Sequence, residues 1–252
     1  MMADVVLETH DLVKRFGGIT ATQNVSMKMQ RGARHALIGP NGAGKTTLIN
    51  LLTGVLPPSS GRVLLRGQDI TDLAPHKRVA LGLVRTFQIN QLFASLTPLQ
   101  SLALAVSSRA NAAQRWWRTL GSDAAIAAEC EALLAQFRLV EHAGRLTREL
   151  PYGKRRLLEI ALAVAMKPSV LLLDEPAAGV PRDESACIFG AIAGLSPDLA
   201  ILFIEHDMDV VFRFASRILV MVSGSILVEG APEEIARDAT VREVYLGKKA
   251  HG

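Results

Sequence analysis

Apolar residues along this chain come in short blocks. Ile160–Met166, Val170–Leu173 and Ile218–Val222 are prominent among them. None approaches the roughly 18–20 consecutive apolar residues that cross a bilayer. Val5–Glu8 and Val25–Met29 alternate in part, and Gly17-Gly18 and Arg31-Gly32 punctuate them, so the start of the chain reads as short strands and turns. Ala36-Leu37-Ile38 reads as a buried strand feeding a glycine-rich loop. Lys45–Thr53 reads as a helix stopped by Gly54, with Pro57-Pro58 beyond it. Arg62–Leu65 with a turn at Gly67 suggests another strand. From about Asn90 to Leu146 the pattern turns helical and alanine-rich, with Ala124–Leu139 amphipathic through Ile126, Leu133, Leu134 and Phe137.

After Pro151 a second helical pattern runs to Met166 and halts before Pro168. Strands at Val170–Leu173, Ala200–Ile204 and Ile218–Val222 then alternate with helices at about Asp183–Gly194 and Met208–Ala215. Such alternation predicts an α/β domain with a mainly parallel sheet, into which the helical middle is inserted.

Composition narrows this. Of 252 residues, 49% are hydrophobic and 21% charged, which excludes a disordered chain. The 28 Lys+Arg against 24 Asp+Glu leave a net charge of +4, too mild to demand nucleic acid or anionic lipid. Cys130 and Cys187 are too few for a disulfide framework. Met1-Met2-Ala3-Asp4 lacks the features of a secretory signal, so a soluble cytoplasmic chain is expected, reaching any membrane through a partner.

The chemistry concentrates in Gly39-Pro40-Asn41-Gly42-Ala43-Gly44-Lys45-Thr46, a full match to G-x-x-x-x-G-K-[ST] between a strand and a helix. Glycines let successive backbone N–H groups curl around phosphate, and the helix points its positive end at them. Lys45 suits the β- and γ-phosphates, and the Thr46 hydroxyl suits Mg²⁺. A second element is the apolar run Val170–Leu173 ending in Asp174-Glu175. Beside a phosphate loop these carboxylates divide naturally into a Mg²⁺ partner, Asp174, and a general base, Glu175.

Together with Leu150–Lys154 upstream of the acid pair and His206 downstream of it, this order resembles the ATP-binding subunit of ABC transporters. It is most similar to the ATPases of branched-chain (hydrophobic) amino-acid uptake systems. The segments carrying the closer match are Lys14–Gly18, Arg85–Gln88, Asp174–Gly179, Ile204–Met208 and Val244–Gly247. The resemblance implies a P-loop NTPase (RecA-like) core at 1–88 and 158–252, with an N-terminal antiparallel β region and a helical subdomain at about 89–157. It implies an aromatic stack on adenine at Phe16, an α-phosphate contact at Thr47, and a Mg²⁺ and water sensor at Gln88. It also implies a γ-phosphate switch at His206, and a signature segment through Tyr152 and Gly153 that completes the ATP site of a second ATPase subunit. Implied partners are that second subunit, in a homo- or heterodimer, and separate integral membrane permeases. An external binding protein would act indirectly, and no nucleic acid is implied. The expected place is the cytoplasmic face of the cell membrane. Urea or amide importers and lipid or lipopolysaccharide exporters share the core. Soluble ABC proteins usually carry two cassettes or a long coiled coil, and neither occurs here.

Two positions depart from the family pattern. Pro151 replaces the usual serine of the signature segment, removing a hydroxyl and an N–H, and Lys154-Arg155 would add positive charge that partly offsets this. Pro181 stands where Asp or Asn is usual. Leu92 and Phe93, in the loop after Gln88, are candidates to line a groove for a permease helix, and Trp116-Trp117 are candidates for a partner contact.

Overall fold

The computed structural model describes residues 4–86, 92–110 and 124–246. Gln88, Trp116, Trp117 and Gly247 lie outside them. The chain divides into two compact units: 1–83 with 169–175 and 196–252, and 84–168 with 176–195. The division cuts elsewhere than the expected 88/89 and 157/158. The helix after Pro151 is continuous through residue 157, and 176–195 belongs with it.

In the first unit, β1 (Val5–Phe16) and β2 (Ile19–Gln30) form a long hairpin. Val25, Met27 and Met29 are buried while Ser26, Lys28 and Gln30 are exposed, the period of a strand with one covered face. β4 (Ser60–Leu65) and β5 (Gln68–Asp69) complete an antiparallel sheet in the order β2-β1-β4-β5. The second sheet contains β3 (Arg34–Ile38), β6 (Leu83–Arg85), β7 (Val170–Asp174), β8 (Ala200–Ile204), β9 (Arg217–Val222) and β10 (Ser225–Gly230). Its order is β10-β9-β3-β8-β7-β6. β7, β8, β3 and β9 pair in parallel and β10 runs antiparallel to β9. Every residue of β7 and β8 is buried, as expected of parallel strands covered on both faces.

Helix α1 (Lys45–Thr53) contributes Leu48, Ile49, Leu51 and Leu52 to the core shared by the two sheets. It ends at Gly54, whose φ of 76° gives the left-handed cap that glycine takes without strain. Arg78, on α2 (Pro75–Ala80), is 1% exposed and closes this end. Its guanidinium donates to the carbonyls of Leu51 at 2.8 Å, Leu52 at 2.7 Å, Leu73 at 2.9 Å and Thr71 at 2.6 Å.

His35, the second residue of β3, is also buried, and its Nδ1 has no hydrogen-bond partner among the described residues. Burial holds its pKa below the ordinary value, with Glu229 opposing and Arg217 adding to the shift. The folded chain therefore keeps His35 neutral where the unfolded chain binds a proton. Stability is full above about pH 6.5 and falls as pH drops through it toward the lower folded value. Melting temperatures from about pH 7 to about pH 5 should fall more steeply for the parent chain than for His35→Leu. Parallel curves would show that His35 does not titrate as described.

The second unit is helical, with α3 (Pro98–Arg109), α4 (Ala124–Gln136), α5 (Tyr152–Ala165) and α6 (Arg182–Ala193). Thr97 and Gln100 form a reciprocal capping box that starts α3. Arg109 grips Glu129 of α4 with two bonds of 2.7 Å and donates to the Ala165 carbonyl of α5. Helix α4 ends earlier than the amphipathic pattern suggests. Arg138 turns left-handed at φ 54°, and the amides of Arg138 and Leu139 bond back to Ala135 and Leu134, a Schellman-type stop. Helices α7 (Met208–Phe214), α8 (Pro232–Arg237) and α9 (Ala239–Leu246) belong to the first unit. No helix among the described residues is long and apolar enough to cross a membrane.

Candidate active site

Strand β3 delivers the chain to Gly39, and the loop from there to α1 can close only on glycine at its tightest points. A Cβ on Gly39 would meet the Met221 carbonyl oxygen at 2.1 Å, and one on Gly44 would meet that of Ala21 at 2.3 Å. The turn at Ser223-Gly224 ties the loop down. The Gly224 amide donates to the Ala43 carbonyl at 2.9 Å, and its carbonyl accepts from the Gln23 amide at 2.7 Å. The result is an open cavity of about 390 Å³ beside the N-terminus of α1. Asn41–Thr47 line one side, Ile19–Ala21 and Ser223-Gly224 another, with Glu175, Ile204 and His206.

Lys45 is the buried cation of this cavity. Its ammonium donates to the Gly39 carbonyl at 2.7 Å and the Pro40 carbonyl at 3.1 Å. Burial lowers its pKa, and Glu175 and Asp174 oppose that shift. The N-cap of α1 is Gly44, which has no side chain to cap the helix's first N–H groups. Thr46 is exposed.

Asp174, the last residue of β7, is 2% exposed. Glu175 follows at φ 48°, a left-handed conformation unusual for a side chain of this size, fixed by its amide bond to the Ile204 carbonyl at 3.1 Å. This turn brings its Oε1 to 2.9 Å from Nε2 of His206. His206 itself sits between β8 and α7, where Asp207 caps the helix. Its amide donates to the carboxylate of Glu205, which is buried.

The cavity thus gathers Asn41–Thr47, Glu175 and His206, while Gly39 and Pro40 bind Lys45 through their carbonyls. Phe16 is 47% exposed at the hairpin tip, outside the cavity wall. Gln88 lies outside the described residues. The sequence did not point to Ile19–Ala21 or Ser223-Gly224 as walls.

The donor chemistry fits a nucleotide with Mg²⁺. Glycine-flanked amides and a buried ammonium suit phosphates. The hydroxyl of Thr46 and the carboxylate of Asp174 are hard oxygen donors. No group of three His, Cys, Asp or Glu able to hold a metal occurs among the described residues.

In the second unit, Tyr152 and Gly153 open α5, with Pro151 at φ −54° as its N-cap. The Tyr152 hydroxyl donates to the Ala178 carbonyl at 3.0 Å. Gly153 lies so close to Glu184 that a Cβ would meet its Oε2 at 2.3 Å. The charge expected to offset the missing serine is engaged elsewhere. Lys154 donates to the Arg138 carbonyl at 3.0 Å, and Arg155 to the carbonyls of Leu150 at 2.9 Å and Arg148 at 2.8 Å. Pro181 plays the same part for α6 as Pro151 for α5, at φ −56°. Of the loop residues, Phe93 is 68% exposed and Leu92 half-buried.

Comparison with known proteins agrees with this architecture. The ABC transporter family pattern matches residues 22–178, and that of branched-chain amino acid ATP-binding cassette transporters matches residues 225–251. The chain is 38% identical to the high-affinity branched-chain amino acid transport ATP-binding protein LivG of Escherichia coli, over 98% of this chain and 100% of that one. It is 37% identical to BraF of Pseudomonas aeruginosa, over 98% of this chain and 100% of that one. An ATP-binding cassette of an ABC transporter, solved in its ADP conformation, superposes with a TM-score of 0.84 at 31% identity, covering 96% of this chain and 99% of that one. The chain therefore belongs to the ABC transporter family as one of its ATP-hydrolysing cassettes, and it carries the C-terminal segment of the branched-chain amino acid members.

Proposed function

We propose that this cassette energises uptake of branched-chain or other hydrophobic amino acids through separate permease subunits, working with a second ATPase subunit at the inner face of the membrane. The observation supporting the chemistry is the 2.9 Å contact of Glu175 with His206 in the wall of the cavity that also holds Lys45. On this reading the amides of the glycine loop and the N-terminus of α1 hold the triphosphate. Lys45 leaves the loop carbonyls to neutralise its outer phosphates. Thr46 and Asp174 would hold Mg²⁺, which supplies charge neutralisation on the phosphate oxygens.

Glu175 accepts a proton from the water that attacks the γ-phosphorus, and the bond to the ADP oxygen breaks. His206 fixes the Glu175 carboxylate and presents its ring toward the phosphate. Gln88 is assigned to sensing the water and Mg²⁺, Phe16 to the base, and Tyr152-Gly153 to the second subunit's nucleotide. Leucine, isoleucine and valine are the proposed cargo.

The test is transport. Vesicles carrying the membrane subunits that co-purify with this chain, with the chain inside, should accumulate labelled leucine only with ATP and an external binding protein. Accumulation of urea or short amides instead, or lipid export, would reassign the cargo while leaving the ATPase assignment intact.

A further inference from the structure

Phe16 stands immediately before the Gly17-Gly18 turn of the β1–β2 hairpin. Its cross-strand partner is Ile19, which begins the Ile19–Ala21 wall of the cavity. Lys14 lies two residues earlier on β1. Its ammonium lies 5.2 Å from the centroid of the Phe16 ring, within cation–π range. The same ammonium donates to the Pro57 carbonyl at 2.7 Å. A backbone carbonyl just past α1 thus holds the cation, and the cation holds the ring.

We propose that Lys14 is a positioning residue for the nucleobase, holding one face of the Phe16 ring and leaving the other for the base to stack on. This rests on the assignment of Phe16 to the base. A ring ordered before the ligand arrives loses no freedom on binding. A cation on one face also draws electron density from the ring, which favours an electron-rich purine on the opposite face. Lys14 is not part of the cavity wall, so its effect falls on the base end and spares the phosphates. The hairpin keeps other braces without it. The Arg15 amide donates to Ser59 Oγ at 3.0 Å, and the Ser59 amide to the Val13 carbonyl at 2.7 Å.

The experiment compares a non-hydrolysable ATP analogue with inorganic tripolyphosphate, each with Mg²⁺, by calorimetry on the full chain. Lys14→Met keeps the apolar stem and removes the charge. It should weaken the ATP analogue about three-fold, within roughly two- to ten-fold, and leave tripolyphosphate unchanged. Lys14→Arg should restore the affinity. Adding Lys14→Met to Phe16→Ala should cost nothing beyond Phe16→Ala alone. Equal weakening of both ligands would overturn the proposal, since Lys14 would then act on the phosphates. So would a loss in Phe16→Ala with none in Lys14→Met. If Phe16→Ala itself leaves the ATP analogue unaffected, the base assignment fails and the role of Lys14 fails with it.

Discussion

Replacing Glu175 by glutamine is expected to lower ATP turnover by roughly 10²–10⁴-fold while leaving nucleotide affinity nearly intact. The exchange keeps the shape of the side chain and a hydrogen bond to His206 Nε2. It removes the carboxylate assigned to take the proton from water, because a carboxamide is not basic. In the proposed mechanism nucleotide affinity rests elsewhere, on the glycine loop, the start of α1 and Lys45, which line the cavity. Single-turnover phosphate release together with analogue binding separates the two effects. Turnover within a few-fold of the parent would remove Glu175 from the role of base.

Arg78→Met should destabilise the first unit by about 3 kcal/mol, read as a lower urea midpoint. Four carbonyls lose a charged donor at once. Relief of the cost of burying a guanidinium offsets part of this. Asp72 and Asp69 act on Arg78 only through space, so removing it strands no buried ion-pair partner. Arg78→Lys can reach at most some of the four oxygens and should fall between. Because two of them, Leu51 and Leu52, lie in the last turn of α1, Arg78 secures the far end of the helix whose near end faces the cavity. An unchanged midpoint would show that water replaces the guanidinium there without loss.

The parts of this architecture readable from sequence are those where one physical demand dominates a short stretch. Lys45–Thr53 has an apolar face, a glycine stop and prolines beyond, and the helix occupies those residues. β7 and β8 are buried on both faces, so they show as unbroken apolar blocks. The hairpin strands run well past Val5–Glu8 and Val25–Met29, because shifts in the β1 register disturb simple alternation and Thr9 is buried through its bond to the Val25 carbonyl. Arg78 could not be read as buried, since an arginine on a six-residue helix has the pattern of a surface residue. The same holds for Lys154 and Arg155, whose charge was legible but whose acceptors are carbonyls fixed only by the fold. The cavity's second wall was hidden for a related reason. Ala21 and Gly224 meet the loop through backbone atoms, which carry no residue-type signal.

The prolines that open α5 and α6 have a thermodynamic side. Each gives up the polar cap that serine or aspartate would supply, worth about 1 kcal/mol. Each also narrows the conformations open to the unfolded chain, worth about 0.4–1 kcal/mol where the native φ already suits proline. The two contributions nearly cancel. An exchange such as Pro151→Ser therefore changes what the helix end offers to a ligand while leaving the folding equilibrium close to where it was.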